Sequence, residues 1–116
     1  MTNVVLDTNA LMMPFQFNID LEGEIQRLLG AVDIYVPEAC MNELNHIPDR
    51  RAAPAREFAT RFNIVPSEGK GDDAVLSLAS NLRAVVVSND IILRKRARTI
   101  GLKVAYMRGK DHLALE

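Results

Sequence analysis

The sequence lacks three features, and each absence excludes a class of protein. A single cysteine, Cys40, among 116 residues excludes a disulfide framework and a cysteine-rich zinc site. The longest apolar run, from Ala10 to Phe15, is interrupted by Pro14 and is far shorter than the roughly 20 residues that cross a membrane. No basic segment precedes an apolar one after Met1, so we expect no secretion signal and a cytoplasmic location.

What is present is the composition of a globular domain with an uneven distribution of charge. Hydrophobic residues make up 48% and charged residues 25% of the chain, and we expect residues 1–116 to form a single domain. The first 49 residues hold eight acids and one base, whereas the remainder holds seven acids and thirteen bases. This asymmetry suggests one surface for a cation and another for a polyanion. Four bases of the irregular segment 47–71 either contact a phosphate backbone or solvate the surface: Arg50, Arg51, Arg56 and Arg61.

Short β-branched runs alternate with helical patterns along the chain. The runs are too short for helices and apolar on both faces, which predicts buried parallel strands at residues 4–6, 34–36, 64–65, 85–87 and 104–106. Apolar residues at helical spacing predict helices near residues 21–29, 38–46, 55–62, 72–82 and 93–100. Because parallel neighbours need a crossover, we expect an α/β fold: a three-layer α/β/α sandwich with a central parallel sheet of about five strands.

Two acids lie just beyond predicted strands. Asp7 follows the first strand, and Asp90 ends the Ser88-Asn89-Asp90 segment after the fourth strand. Strands one and four commonly flank each other in a doubly wound order, so we expect both carboxylates at one edge of the sheet. Neighbouring carboxylates raise one another's pKa or bind a divalent cation, and their oxygen atoms suit Mg²⁺ or Mn²⁺.

Other polar residues near this edge have two interpretations each. Asp72 and Asp73 open a predicted helix, where an aspartate is either an N-cap or a metal ligand. Glu43, inside a predicted helix, is either solvated or a further acid of the cluster. The neighbours of the two strand-end acids are interpretable as turn residues and strand-end hydroxyls: Thr8, Asn9, Ser88 and Asn89.

Taken together, these segments resemble the PIN-domain nucleases. The resemblance is carried by Val-Val-Leu-Asp-Thr-Asn at residues 4–9, by Glu43-Leu44, by Asp-Asp-Ala-Val-Leu-Ser-Leu-Ala at residues 72–79, and by residues 86–96 around Asp90. It extends from Asn3 to about Tyr106. The chain is most similar to small archaeal-type PIN proteins, which resemble both ribosomal-RNA-processing PIN nucleases and the VapC toxins of toxin–antitoxin pairs.

The resemblance implies a metal-dependent ribonuclease that hydrolyses RNA phosphodiester bonds by in-line attack of water. The implied acidic site for Mg²⁺ or Mn²⁺ consists of Asp7, Glu43, Asp72 and Asp90, with Asp73 as an additional ligand. Asp72 is preferred to Asp73 because Val75 and Ala79 follow it at the family's spacing. Ile92 stands where relatives often carry a further acid, which removes one ligand. The residues implied to support the site by hydrogen bonding are Thr8, Asn9, Ser88 and Asn89.

A basic cluster follows Asp90 and has two interpretations. Its side chains either bind the RNA polyanion or complement the carboxyl-terminal dipole of their own helix. The cluster consists of Arg94, Lys95, Arg96 and Arg98.

Other chemistries fit the sequence less well. Pro14 lies too far after Asp7 for a receiver domain, and Asn9 stands where a haloacid-dehalogenase-type phosphatase needs its second aspartate. Glu43 and His46 resemble half of a di-iron motif, but the motif occurs once. We expect His46 and His112 at the surface.

The open alternative to an enzyme is a non-catalytic PIN-like module that binds RNA or protein, but the presence of all four family acids favours the enzyme. Two roles remain open for the enzyme, namely a toxin held by an antitoxin and a ribosomal-RNA processor that works with ribosome-assembly factors. We also expect a homodimer. An apolar patch interpretable as core, dimer contact or antitoxin groove is formed by Met12, Met13, Phe15 and Phe17.

Overall fold

The structure, a computed structural model that describes residues 1–116, contains one six-stranded sheet. The strands are β1 (Thr2–Leu6), β2 (Val32–Pro37), β3 (Asn63–Val65), β4 (Val85–Val87), β5 (Val104–Arg108) and β6 (His112–Leu115). They are arranged in the order β3-β2-β1-β4-β5-β6. The first five strands are parallel, as predicted, and β6 pairs antiparallel with β5.

Six helices connect the strands. They are α1 (Thr8–Phe17), α2 (Leu21–Leu29), α3 (Glu38–Leu44), α4 (Ala52–Ala59), α5 (Gly71–Leu82) and α6 (Ile91–Thr99). Helices α1, α3 and α4 pack against one another, and α5 packs against α6. Since the right-handed crossovers run in opposite directions on either side of β1, the two groups lie on opposite faces of the sheet. This confirms the three-layer α/β/α fold. No helix is both long enough and apolar enough to span a membrane.

The chain changes direction within the sheet between β1 and β4. From β1 it proceeds through β2 to β3, then returns to β4 and continues outward to β5. Strands β1 and β4 are neighbours, with Leu6 opposite Val87, so the residues that follow them emerge side by side. Such a switch point is where parallel α/β sheets bind ligands. The predicted neighbourhood of the first and fourth strands is therefore confirmed.

Helix α1 was not predicted from the sequence, because Pro14 lies inside it. Proline removes the N–H that would bond to the carbonyl of Ala10, and it normally ends a helix. Here α1 continues to Phe17, since Leu11 and Met13 on its inner face are fully buried. Tertiary packing thus overrides the local penalty, and the supposed turn after β1 is the first turn of a helix.

The antiparallel strand β6 was also not predicted. Of its four residues only Leu113 is buried, so its sequence carries little apolar alternation. Gly109, at a φ of +69°, belongs to the turn that reverses the chain between β5 and β6. Glu24 of α2 fixes the strand, because its carboxylate accepts a hydrogen bond of 2.9 Å from the backbone N–H of Leu113. Pairing with β5 and this long-range contact define β6.

The predicted apolar patch is part of the hydrophobic core. Met13 is fully buried and Met12 is 5% exposed, while Phe15 and Phe17 pack against the same cluster of 29 buried residues. The ring of Phe15 meets that of Phe58 edge to face, with centroids 6.1 Å apart. Of the three interpretations of the patch, the structure therefore selects the core.

The irregular basic segment contains α4 and β3, and three of its arginines contact the protein. Arg51 pairs with Asp49 at 2.8 Å, and Arg61 pairs with Glu22 at 2.7 Å. Arg56 donates a hydrogen bond of 3.1 Å to the carbonyl oxygen of Leu44. These contacts favour a role at the protein surface over a continuous phosphate-binding track.

Leu6, the last residue of β1, lies at the switch point, so we expect its truncation to be costly. Leu6→Ala removes a side chain that is fully buried, and a cavity of this kind lowers the free energy of unfolding by about 2–5 kcal/mol. Leu115→Ala is the control, because Leu115 is 44% exposed and its loss should cost below about 1 kcal/mol. Urea denaturation measures both, and equal losses would contradict the placement of Leu6 in the core.

Candidate active site

Asp7 lies between the end of β1 and the start of α1, and two hydrogen bonds fix its carboxylate. The backbone N–H of Ala10 donates to Oδ1 at 2.7 Å, which makes Asp7 the N-cap of α1. The hydroxyl of Ser88, just beyond β4, donates to Oδ2 at 2.5 Å. Asp7 is only 7% exposed. The switch point thus holds a buried, oriented carboxylate, and each of its oxygens keeps a second lone pair.

A chain of hydrogen bonds ties the segment after β4 to α1 and β5. The Asn89 N–H donates to the side-chain oxygen of Asn9 at 2.8 Å, and the side-chain oxygen of Asn89 accepts from the N–H of Met107 at 2.7 Å. The Asp90 N–H donates to Ser88 Oγ at 3.0 Å. These contacts give Asn9, Ser88 and Asn89 a physical basis for supporting the site, as the resemblance implies.

A cavity of about 90 Å³ opens beside Asp7, and four carboxylates line it. Asp90 is the N-cap of α6 and accepts from the N–H of Leu93 at 3.0 Å, so one of its oxygens is held and the other is not. Asp72 projects from the first turn of α5, and Glu43 projects from α3. The four predicted acids, 83 residues apart at their extremes, therefore converge on one cavity: Asp7, Glu43, Asp72 and Asp90.

The acids influence one another electrostatically. The pKa of Asp7 is raised to about 7, chiefly by burial and to a lesser extent by the charges of Asp90 and Asp72, and the hydrogen bonds from Ser88 and Ala10 oppose this shift. The pKa of Asp72 is also raised, first by burial and then by the charge of Asp90. A cation placed among these groups would relieve both effects.

Asp73 does not line the cavity. Its side chain is 69% exposed and pairs with Arg96 at 2.7 Å, and the same guanidinium lies 4.0 Å from Asp72. The adjacent aspartates of α5 thus have different surroundings, and Asp72 is the one that faces the site. The implied role of Asp73 as a ligand has no counterpart in this geometry.

The predicted basic cluster divides into two parts. Arg94 makes a bidentate pair with Glu116, at 3.0 and 2.9 Å, and its guanidinium lies 4.0 Å from the centre of the Tyr106 ring. Arg98 lies 3.9 Å from the same Glu116 carboxylate. Lys95 and Arg96, in contrast, border a separate cavity of about 440 Å³ between α5 and α6. Arg94 is engaged within the protein, whereas Lys95 borders this cavity without an ion pair and Arg96 borders it while pairing with Asp73.

The donors around the acidic cavity match a hard divalent cation in chemistry. They are carboxylate oxygens, which Mg²⁺ and Mn²⁺ prefer. The hydroxyl of Thr8, on the cavity wall, is buried and lies against the thiol of Cys40. Burial raises the pKa of this thiol to about 12, so it is neutral at neutral pH.

The present side-chain positions are not those of a closed coordination sphere. No group of three His, Cys, Asp or Glu side chains is placed to hold a metal ion. The backbone N–H groups of Ala10 and Leu93 hold one carboxylate oxygen each of Asp7 and Asp90. The residues therefore fit a cation by type and location, and ligation requires the side chains to draw together.

Sequence reasoning did not assign three residues of the cavity wall to the site: Cys40, Gly71 and Val75. Cys40 precedes Glu43 by three positions on α3, a spacing that places both on one helical face and could have revealed it. Gly71 adopts a φ of +54°, which favours glycine, and a Cβ at this position would meet no atom within 4 Å. The chain thus leaves open space beside Asp72, a feature without a sequence signal.

The fold and this site define an α/β domain whose carboxylates meet at the switch point of a parallel sheet. A family model described as a PIN like domain matches residues 4–110, so the chain belongs to the PIN-like domain family. Ribonuclease VapC9 of Archaeoglobus fulgidus is 24% identical over 119 residues, which cover 97% of this chain and 87% of that protein. The structure of the PIN domain endonuclease Utp24 superimposes with a TM-score of 0.84 at 26% identity, covering 98% of this chain and 90% of Utp24. Both relatives are nucleases, which supports a nuclease role for this chain.

The raised pKa of Asp7 predicts a characteristic pH dependence of stability. The folded protein retains this proton up to about pH 7, whereas the unfolded chain loses it near pH 4, so Asp7 costs stability as the pH rises between these values. In EDTA, we expect the free energy of unfolding of Asp7→Asn, relative to that of wild type, to rise by on the order of 3 kcal/mol between pH 5 and pH 8. Urea denaturation at both pH values measures the gain.

Asp49→Asn is the matched control for this experiment. Hydrogen bonds from Arg51 lower the pKa of Asp49 to about 2, so its folded and unfolded values both lie below pH 5. Its contribution to stability is fully present above that pH and is lost only as the pH falls through the folded value. The difference in free energy of unfolding between Asp49→Asn and wild type should therefore be the same at pH 5 and pH 8. A level difference for Asp7→Asn as well would contradict the assigned burial effect.

Proposed function

We propose that this chain is a Mg²⁺- or Mn²⁺-dependent endoribonuclease. The observation that carries the proposal is the convergence of Asp7, Glu43, Asp72 and Asp90 on one cavity at the switch point. These are the acids that the PIN resemblance assigns to metal binding, and they arrive from four different helices or helix starts. RNA as the substrate is supported by the relative that is named a ribonuclease.

The four acids would hold the cation, which when bound supplies a water of lowered pKa and positive charge opposite the phosphate. The protein contributes orientation. Asp7 is fixed by Ser88 and the Ala10 amide, and Asp90 is fixed by the Leu93 amide, so two carboxylates are preorganised on rigid helix starts. Glu43 is exposed on α3 and keeps the rotamer freedom to adapt to the scissile phosphate.

The RNA backbone is proposed to follow the cavity between α5 and α6. Lys95 and Arg96 border this cavity together with the hydroxyl-bearing residues Ser77, Ser80 and Thr99. Cationic and hydroxyl groups of this kind contact phosphate oxygens without regard to sequence. Arg96 also pairs with Asp73 beside the acidic cavity, so one side chain links the proposed backbone track to the site.

The biological partners follow less directly from the molecule. An antitoxin is suggested by the VapC relative, and a ribosome-assembly factor by the ribosomal-RNA-processing branch that the sequence resembles. The patch that motivated a homodimer is buried in the core, so dimer formation stays a prediction that gel filtration tests. The cytoplasmic location stays a prediction that rests on the single cysteine, which is buried and free.

Variants of two adjacent aspartates, Asp72 and Asp73, test the proposed nuclease activity. Asp72→Asn alters a wall of the acidic cavity, and we expect cleavage of single-stranded RNA to fall at least about a hundredfold, since even supporting residues at metal sites are worth about 10–100-fold. Asp73→Asn is the control, because Asp73 lies off the cavity and pairs with Arg96. Its rate should stay within about threefold of wild type. The measurement is the initial rate on a fluorescent RNA panel with Mn²⁺, Mg²⁺ or EDTA.

Three outcomes of the cleavage assay distinguish the proposed enzyme from the non-catalytic module. Activity confined to wild type and Asp73→Asn in the presence of metal supports the enzyme. Equal losses in both variants would contradict the assignment of Asp72 over Asp73. Silence of the wild type on every RNA, together with undiminished RNA binding, would favour the non-catalytic module.

Metal binding has its own prediction, independent of cleavage. Mn²⁺ at about 100 times its Kd should stabilise the folded protein by about 2.7 kcal/mol, which raises the Tm by several degrees. Asp90→Ala removes one predicted ligand and should abolish most of this rise, whereas the distant Asp111→Ala should retain it. Thermal unfolding with and without Mn²⁺ measures the effect, and an equal rise in both variants would place the cation elsewhere.

A further inference from the structure

A second, larger cavity adjoins the acidic one. It has a volume of about 510 Å³ and lies between α3 and the segment that leads from β3 into α5. We call it the α3–α5 groove. Glu43 and Gly71 belong to the walls of both cavities, so the groove opens directly onto the four acids. Its lining includes Asn42, Glu43, His46, Ser67, Lys70 and Gly71.

Several polar atoms of the groove lack partners within the protein. The hydroxyl oxygen of Ser67 is buried without any hydrogen bond. The His46 ring is held in place, because its Nδ1–H donates to the carbonyl oxygen of Asn42 at 2.8 Å, which leaves Nε2 free for another contact. The side chains of Asn42 and Lys70 are exposed. The accessible donors and acceptors of the groove are therefore those of Asn42, His46 and Lys70, which suit a ligand that forms hydrogen bonds.

The charges of the groove select against a phosphate inside it. Glu38 and Glu43 line it with carboxylates, and Lys70 is the cation that faces them. A neutral, planar, hydrogen-bonding group is therefore favoured over an anion. The volume lies within the range of about 300–1,000 Å³ that accommodates small organic ligands. A nucleobase with its ribose meets these requirements of charge, size and hydrogen bonding.

We propose that the α3–α5 groove binds the nucleobase next to the scissile phosphate, with His46 stacking on the base and Asn42 contacting its edge. The proposal rests on the proposed nuclease function, because it places the phosphate in the adjoining acidic cavity. Histidine rings stack on unpaired bases, and side-chain amides read base edges through paired donor and acceptor atoms. Asn42 thereby determines which base lies next to the cut, and His46 holds that base in place.

The first test is the base preference at the cleavage site. Wild type and variants cleave a pool of single-stranded RNA with randomised sequence in the presence of Mn²⁺, and sequencing of the product ends gives the preference at each flanking position. We expect one flanking position to show a preference that weakens at least about fivefold in Asn42→Ala, the lower bound for loss of one paired contact to a base edge. His46→Ala should leave this preference in place, because stacking on an aromatic ring tolerates every base. Asn45→Ala is the matched control, an exposed asparagine at the end of the same helix that lies outside the groove.

The second test measures binding without cleavage. RNA oligonucleotides that carry 2-aminopurine are titrated into the protein in EDTA, where stacking on an aromatic ring quenches the fluorescence. We expect His46→Ala to lose the quench and to raise the Kd at least about fivefold, whereas His46→Phe preserves the stack and stays within about twofold of wild type. His46 is exposed, and thermal unfolding verifies that the His46→Ala and His46→Phe variants remain folded.

The outcomes of the two tests distinguish failure of the base-binding proposal from failure of the nuclease proposal. Cleavage by wild type with a preference unchanged in Asn42→Ala would overturn the base-binding groove and leave the nuclease intact. Absence of cleavage with a quench that depends on His46 would overturn the nuclease and support the groove. A quench equal in wild type, His46→Ala and Asn45→Ala would overturn the groove, and its occupant would then belong to another class, such as a protein partner.

Discussion

The structure is organised around the carboxylate of Asp7, which is buried at the switch point between β1 and β4. Asp7 is removed from water, and burial raises its pKa to about 7. The fold compensates in part with hydrogen bonds from Ser88 and from the first turn of α1. These bonds join β1, β4 and α1 at one place, so a carboxylate whose burial opposes folding is also the group that connects the elements of the site. A carboxylate in this position is unfavourable for folding, and its retention is explained by chemistry.

The remaining acids are held with graded rigidity around this point. Asp90 is anchored as a helix cap, Asp72 lies in the first turn of α5, and Glu43 is exposed on α3. The asparagine network beyond β4 keeps the two strand-end acids in register with β5. Fixed carboxylates, such as that of Asp90, and an exposed one, that of Glu43, together suit a site that must accept both a cation and a phosphate. Arg96, shared between Asp72 and Asp73, connects this site to the basic surface of α6.

The proposed division of labour follows from the two cavities that share Glu43 and Gly71. The smaller cavity concentrates negative charge, which a nuclease needs for a cation. The larger one is polar with mixed charge and contains an unpartnered hydroxyl, which suits recognition of a base. Because helix α3 contributes to both walls, a substrate seated in the groove would set the position of the phosphate at the acids. Chemistry and selectivity would then be coupled through a single helix.

The strand-end acids and the α/β alternation were predictable, because each depends on residues that are adjacent in sequence. β-branched runs specify buried strands, and a carboxylate directly after such a run must emerge at the carboxyl edge. Helix α1 was not predictable from local pattern, since the penalty of Pro14 is local whereas the burial that outweighs it comes from distant elements. The sequence by itself determined which acids exist and at which strand ends they emerge. Only the tertiary structure decided that Asp73 pairs with Arg96 outside the cavity and that Arg94 pairs within the protein, because side-chain surroundings depend on contacts between elements far apart along the chain.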